Sequence, residues 1–211
     1  NAAVFYIDWT DQQIRTQVAP GSVLIDNAGR SYSEGFELEA SWRPVQGLEL
    51  SGFLGLTHGE YEKYVDRFGV ALAGNTLVNT PELTAGLVAQ YRWPIANSPF
   101  GGLVRGEYLY TGDQYFDAEN RLEQAGYGLV NVRAGIETDT FSAVVFAKNL
   151  FDQDYRVYGY RDFEGSALAS DIAVAGESRL VGVTATWRLG PSYSIRSRPS
   201  TSRPRRAWNS G

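Results

Sequence analysis

From Leu180 to Leu189 the chain reads Leu-Val-Gly-Val-Thr-Ala-Thr-Trp-Arg-Leu, with Val181, Val183, Ala185, Trp187 and Leu189 alternating with Gly182, Thr184, Thr186 and Arg188. Side chains of a strand point to opposite faces in turn, so this segment has one wholly apolar face and one small or polar face. Such a strand suits a wall with lipid on one side and a polar interior on the other.

Seven further segments are strand candidates, and five of them carry the same signal. Phe36, Leu38, Ala40 and Trp42 alternate with Gly35, Glu37, Glu39 and Ser41; Leu48, Leu50, Gly52, Leu54 and Leu56 alternate with Glu49, Ser51, Phe53, Gly55 and Thr57. Leu83, Ala85, Leu87, Ala89, Tyr91 and Trp93 oppose Glu82, Thr84, Gly86, Val88, Gln90 and Arg92. Val104, Gly106, Tyr108 and Tyr110 face away from Arg105, Glu107 and Thr111, and Gly128, Val130, Val132, Ala134 and Ile136 from Tyr127, Asn131 and Arg133. Period-2 order sustained over this many residues predicts strands. Residues 141–150 are apolar on both sides, which leaves their facing open, and residues 2–9 form the first strand of the set.

The connections alternate in length. Short ones fall at 43–47, 94–99 and 138–140, and long ones at 16–30, 58–80, 112–124 and 152–176. Short turns at one end and long loops at the other are the pattern of outer-membrane barrels, whose long loops lie outside the cell. Trp42, Trp93 and Trp187 all fall beside a short turn or at the end of the last strand, so one aromatic belt at the membrane interface accounts for all three.

Composition agrees and excludes several chemistries. The 13 Tyr, 10 Phe and 5 Trp fit rings that meet apolar material at one end and water at the other. With no Cys there are no disulfides, thiolate metal sites or cysteine nucleophiles. No apolar run approaches the roughly 18 residues that a spanning helix needs, so any membrane crossing uses strands. All 24 acidic residues and 14 of the 19 basic ones precede residue 190; Arg196, Arg198, Arg203, Arg205 and Arg206 crowd into the Ser- and Pro-rich segment 190–211. That segment reads as a disordered tail after a folded unit spanning 1–189. The chain contains no Met, not even at position 1, and opens directly on strand-like sequence, which reads as part of a longer polypeptide.

Several motifs then occur in order: Asn27-Ala28-Gly29 through Gly35-Phe36-Glu37-Leu38-Glu39; Asn79-Thr80-Pro81-Glu82; Lys148-Asn149-Leu150-Phe151-Asp152-Gln153-Asp154-Tyr155; and Gly182 followed by Ala185 and Trp187. Together they resemble the TonB-dependent outer-membrane receptors, which import iron chelates, cobalamin and some sugars. The resemblance covers residues 1–189, and Leu189 stands where the family usually has a terminal aromatic. It implies an all-β antiparallel transmembrane barrel of roughly 22 strands, of which this chain supplies the last eight. The N-terminal plug, and with it the segment that engages the TonB complex, lies outside the chain. The implied location is the outer membrane of a Gram-negative bacterium.

Other chemistry is thin. His58, the only histidine, precedes Glu60 by two residues, but no further metal ligands accompany the pair. Asp113, Asp117 and Glu119 share a long loop and offer oxygens for Ca²⁺, although a solvated polar loop is the ordinary reading; Asp152 and Asp154 read as turn residues above a strand. Glu37, Glu39, Glu49, Glu82, Arg92, Arg105, Glu107 and Arg133 lie on polar faces of several strands. They read as an ion-paired interior lining rather than as a catalytic carboxylate pair. No catalytic residue, metal ligand or cofactor is assigned, and no enzyme is expected. The Arg-rich tail is read as solvated rather than as a nucleic-acid site.

The loop residues Tyr61, Tyr64, Phe68, Tyr115, Phe116, Tyr158 and Tyr160, with Arg67 and Arg161, are candidate ligand contacts, because loops on a rigid scaffold carry recognition. Rings and guanidinium groups suit aromatic, anionic metal chelates; an outer aromatic girdle is the competing role. Tyr64, Arg67, Phe68, Tyr115, Phe116, Tyr158, Tyr160 and Arg161 are the ligand-binding expectation, with outer-membrane lipid, a ferric siderophore or similar chelate, and the TonB complex as partners. Two alternatives stay open at this level. One is a self-contained eight-stranded barrel with a structural or adhesive role; the other is a soluble carbohydrate-binding β-sandwich, whose apolar faces would pack on each other.

Overall fold

The computed structural model describes residues 1–19, 22–162 and 170–188; the disordered tail expected over 190–211 lies outside the described residues. Eight strands form one antiparallel sheet: β1 (Ala2–Ala19), β2 (Ser22–Trp42), β3 (Leu48–Lys63), β4 (Leu83–Pro94), β5 (Gly101–Thr111), β8 (Tyr127–Glu137), β9 (Phe141–Lys148) and β12 (Leu180–Trp187), in that spatial order. Two small hairpins sit within long connections: β6 (Gln114–Tyr115) with β7 (Glu123–Gln124), and β10 (Arg156–Asp162) with β11 (Ser170–Ala175).

The register fuses the apolar sides of these strands into one surface, because directly opposed residues share a face. Val4 pairs with Phe36, Leu38 with Leu54, Leu54 with Ala85, Leu87 with Tyr108, Tyr108 with Val130, Ala134 with Val145, and Val145 with Val183. The facing of β9 is thereby settled: Phe141, Ala143, Val145 and Ala147 join the apolar surface. Ser142, Val144, Phe146 and Lys148 join the polar one. No second layer covers the apolar surface among the described residues, and Leu87 and Val183 are 66% and 71% exposed. A sandwich would bury these residues against a second sheet, so that alternative fails.

The outermost strands, β1 and β12, have no outer neighbours among the described residues and do not pair with each other. The eight strands are therefore an open sheet rather than a closed eight-stranded barrel. On its polar face Arg92 pairs with Glu137 at 2.9 Å, and Glu107 takes both Arg105 (2.6 Å) and Arg133 (3.3 Å). These are the ion pairs expected of an interior lining. Phe5, Phe53 and Phe146 also lie on this face, each ring occupying the space above a glycine of the next strand: Gly35, Gly86 and Gly182.

The short connections fall where the sequence places them, but two long ones do not. The first strand runs to Ala19 rather than ending at residue 9, and most of 16–30 belongs to the β1–β2 hairpin. Residues 58–63 likewise continue β3. These stretches lack the clean apolar–polar alternation of the band because they extend beyond it, where backbone pairing persists without selection for one wholly apolar face. Asp11, in the left-handed conformation (φ 56°), interrupts the pairing between Thr10–Arg30 and Gln12–Ala28.

The Asn-Leu-Phe-Asp motif makes the turn that leaves β9. Asn149 (φ 46°) is 4% exposed. Its Nδ2 donates to the carbonyls of Gln153 (2.9 Å) and Glu177 (3.0 Å), and its Oδ1 accepts from Gln153 N–H (2.8 Å). Asn149 N–H donates to Asn131 Oδ1 of β8 (2.9 Å), and Asp152 accepts from Arg179 N–H (2.7 Å). The turn thus ties β8, β9 and the approach to β12 together, while Tyr155 stacks on Tyr127 at 4.6 Å.

Candidate functional site

The main buried cluster lies at the long-connection end, where the extensions of β1, β2 and β3 meet the segment after β3. Ile14 and Ala28 of the β1–β2 hairpin pack with Tyr61, Tyr64, Leu72 and Leu77 of the β3–β4 segment. Tyr61 and Tyr64 are 1% and 3% exposed, with ring centroids 5.2 Å apart. Burial pushes the Tyr61 phenol up to about 12, against a lowering hydrogen bond with the Val78 backbone; the nearby Tyr64 and Asp117 add to the rise.

Side-chain amides stitch this core to the β5–β8 segment. Thr76 N–H donates to Asn120 Oδ1 (2.8 Å) and Asn120 Nδ2 donates back to Thr76 O (3.0 Å), while Asn75 Nδ2 reaches Ala118 O (2.8 Å). Asn120 itself sits at φ 55°, a conformation that Asn tolerates better than most residues. Asp117 fixes the same segment by accepting from the N–H groups of Arg121 (2.9 Å) and Leu122 (2.7 Å).

A cavity of about 370 Å³ opens between these segments, β1 and β10. It is lined by Gln12, Gln13 and Ile14 of β1, by Tyr61, Tyr64, Asp66, Arg67, Leu72, Val78 and Asn79 of β3 and the segment after it, and by Phe116 to Glu119 and Tyr158 to Arg161. The Phe116 and Tyr158 rings lie 6.5 Å apart and those of Tyr158 and Tyr160 5.9 Å, giving a run of three aromatics. Phe116 also rests against Gly159, where a β-carbon would meet its ring at 2.8 Å. Arg161 faces Asp171 at 3.6 Å.

Six of the eight expected ligand contacts therefore meet at one cavity: Tyr64, Arg67, Phe116, Tyr158, Tyr160 and Arg161. The other two stand apart from its wall. Phe68 lies beside it with the Arg67 guanidinium 5.6 Å from its ring centroid, and Tyr115 is engaged through its backbone with Glu123 and Asn79. The sequence pattern does not mark Gln12, Gln13 and Ile14, because the strand signal fades at residue 9, nor Asp66, which carries no aromatic signal. Asp66 accepts from Phe68 N–H (2.9 Å) and Val70 N–H (2.7 Å), shaping the turn that presents Arg67.

The carboxylates considered for Ca²⁺ are otherwise engaged. Arg121 pairs with Asp117 (3.4 Å) and Glu119 (2.9 Å), and Asp113 accepts from Gly126 N–H. His58 pairs with Glu60 at 3.3 Å on the exposed face. Among the described residues no group of three or more His, Cys, Asp or Glu is placed to hold a metal ion.

At the opposite end of the sheet, Trp42, Trp93 and Trp187 lie on the apolar surface. Trp93 stacks on Tyr91 (5.5 Å), and Trp187 meets Phe141 edge-on (6.0 Å). Towards the long connections the same surface carries Tyr6 stacked on Tyr32 (6.2 Å).

A family model described as TonB dependent receptor-like, beta-barrel matches residues 1–150. The chain belongs to this family. The pesticin receptors of Yersinia enterocolitica serotype O:8 and Yersinia pestis are each 29% identical over 195 residues, covering 86% of this chain and 25% of the receptor. The chain thus spans about a quarter of the length of these relatives. The crystal structure of the ferric yersiniabactin uptake receptor FyuA from Yersinia pestis aligns with 88% of the chain and 27% of that receptor, at TM-score 0.72 and 26% identity. The siderophore receptor PiuA from Acinetobacter baumannii aligns with 87% of the chain and 25% of that receptor, at TM-score 0.64 and 24% identity, a likeness of fold. The open sheet is accordingly a portion of an outer-membrane receptor barrel, and the matched relatives are receptors rather than enzymes.

Proposed function

We propose that this chain is the C-terminal part of an outer-membrane receptor for TonB-dependent uptake of a bulky nutrient, above all a ferric siderophore. The observation that carries the reading is the convergence of Tyr64, Arg67, Phe116, Tyr158, Tyr160 and Arg161 on one cavity at the long-connection end of a lipid-facing sheet. Rings stack on aromatic chelators and guanidinium groups take their oxygens. The resemblance to a ferric yersiniabactin uptake receptor supports an iron chelate as cargo. Capture at this cavity precedes rearrangement of an N-terminal plug driven by the TonB complex; both lie outside the quarter of its relatives that this chain spans.

The apolar surface meets lipid, and Trp42, Trp93 and Trp187 form the girdle at the periplasmic interface. Tyr6 and Tyr32 mark the other interface. Ten residues separate Tyr32 from Trp42 along β2, or about 34 Å at roughly 3.4 Å per residue. With a tilt of about 40° the height is about 26 Å, close to the ~25 Å apolar band of outer-membrane barrels.

The test is uptake of radiolabelled ferric chelates by cells whose only such receptor is the intact protein. Uptake is expected, and the combined change Tyr158→Ala and Tyr160→Ala is expected to weaken binding about tenfold through lost stacking. The reading fails if no ferric chelate enters, or if the double variant matches the parent in affinity.

A further inference from the structure

The charges around the cavity narrow the cargo further. Three acidic residues line it, Asp66, Asp117 and Glu119, against two arginines, Arg67 and Arg161. Their ion-pair partners do not alter that excess: Arg121 pairs with Asp117 and Glu119, and Asp171 pairs with Arg161, adding one charge of each sign. Among the described residues this wall is rich in rings and carries a surplus of negative charge. Like charges brought within a few ångströms repel strongly where water is excluded.

We infer that the cavity selects an aromatic metal chelate of low net charge and disfavours polyanionic ones; the inference rests on the siderophore reading above. The run from Phe116 through Tyr158 to Tyr160 puts aromatic surface on the cavity wall for the chelating rings to pack against, and Tyr61 and Tyr64 line the same cavity. A chelate with three phenolate pairs around a trivalent metal keeps a charge of −3 and meets Asp66, Asp117 and Glu119. A chelate of the same shape whose ring donors each carry one negative charge is neutral and meets no such opposition. The cavity volume of about 370 Å³ falls in the range of small-molecule sites, so ring contact rather than extensive ionic wrapping supplies the affinity.

Two gallium complexes of nearly equal size separate these classes: tris(hydroxypyridinonate), which is neutral, and tris(catecholate), which is a trianion. Their dissociation constants are measured on the intact receptor in outer-membrane vesicles at physiological salt. The neutral complex is expected to bind at least about tenfold more tightly. Asp66→Asn keeps the side-chain oxygen that Phe68 and Val70 amides require and removes one charge. Combined with Glu119→Gln, it is expected to narrow the gap severalfold by strengthening trianion binding. If both complexes bind and the trianion binds as tightly as the neutral one, or if the gap is unmoved in the double variant, the charge assignment is overturned while the siderophore reading stands. If neither complex binds, the charge assignment fails; if no ferric chelate is taken up either, the siderophore reading fails with it.

Discussion

Replacing Asn149 by Ala removes a buried side chain that makes three hydrogen bonds, to Gln153 N–H, Gln153 O and Glu177 O. At about 1 kcal/mol net for each bond, the loss is about 3 kcal/mol. The backbone adds to it: Asn149 sits at φ 46°, and placing Ala in the left-handed region costs roughly 1 kcal/mol more. A total near 4 kcal/mol is expected for Asn149→Ala. Asn149→Gly, which accepts that backbone without penalty, should recover about 1 kcal/mol of it. The assay is equilibrium urea unfolding of the intact receptor in lipid vesicles, paired with amide exchange at Arg179, Val181 and Val183. Exchange in β12 should accelerate by two to three orders of magnitude at ~1.4 kcal/mol per tenfold, because the turn fixes the approach to that strand. An Ala variant within about 0.5 kcal/mol of the parent, or a Gly variant no better than Ala, would refute the reasoning.

Further outcomes follow from the same geometry. Leu87 lies midway between the aromatic rows on the apolar surface, so Leu87→Arg should destabilise the folded receptor in bilayers by about 2–4 kcal/mol, whereas Val88→Arg on the polar face should cost far less; urea midpoints compare them. Gly86→Val should displace the Phe53 ring that covers Gly86 and lower stability by about 1–3 kcal/mol, read by the same unfolding curves. Asn120→Ala breaks the reciprocal bonds to Thr76 and should weaken chelate binding about five- to tenfold through lost preorganisation, read by calorimetry. The raised folded-state value of Tyr61, about 12 against roughly 10 when unfolded, contributes stability that is complete below pH 10. That contribution declines as pH rises towards 12, by about 3 kcal/mol; Tyr61→Phe should flatten the decline over that window.

The sheet was legible where lipid selects it. β2, β3 and β4 alternate cleanly between Phe36 and Trp93 because one face must be apolar and the other must not. β9 was not legible, because Val144 and Phe146 are apolar on the interior side, where Phe146 covers Gly182. Thr10 to Ile14 and Asp26 to Arg30 were hidden for a different reason: above the band no lipid selects an apolar face, and Ile14 and Ala28 stand among polar neighbours without alternation. At the site, Tyr64, Phe116 and Tyr158 announced themselves as rings in long connections. Gln12, Ile14 and Asp66 did not, since their place at the cavity depends on a hairpin extension and a turn that residue type alone does not encode. The aromatic motif residue Tyr155 and the turn residue Asn149 were visible as a pattern, but their task of joining β8, β9 and β12 emerges only from the hydrogen bonds.

The central claim is that one face of this sheet touches acyl chains and the other a watery interior. Nitroxide labels placed singly from Thr84 to Tyr91 in the intact, bilayer-embedded receptor test it through relaxation by oxygen and by a water-soluble nickel chelate. The account predicts strict alternation, with Ala85, Leu87 and Ala89 open to oxygen and Gly86, Val88 and Gln90 open to nickel. Uniform accessibility to nickel along the strand, or alternation of the opposite phase, would contradict it.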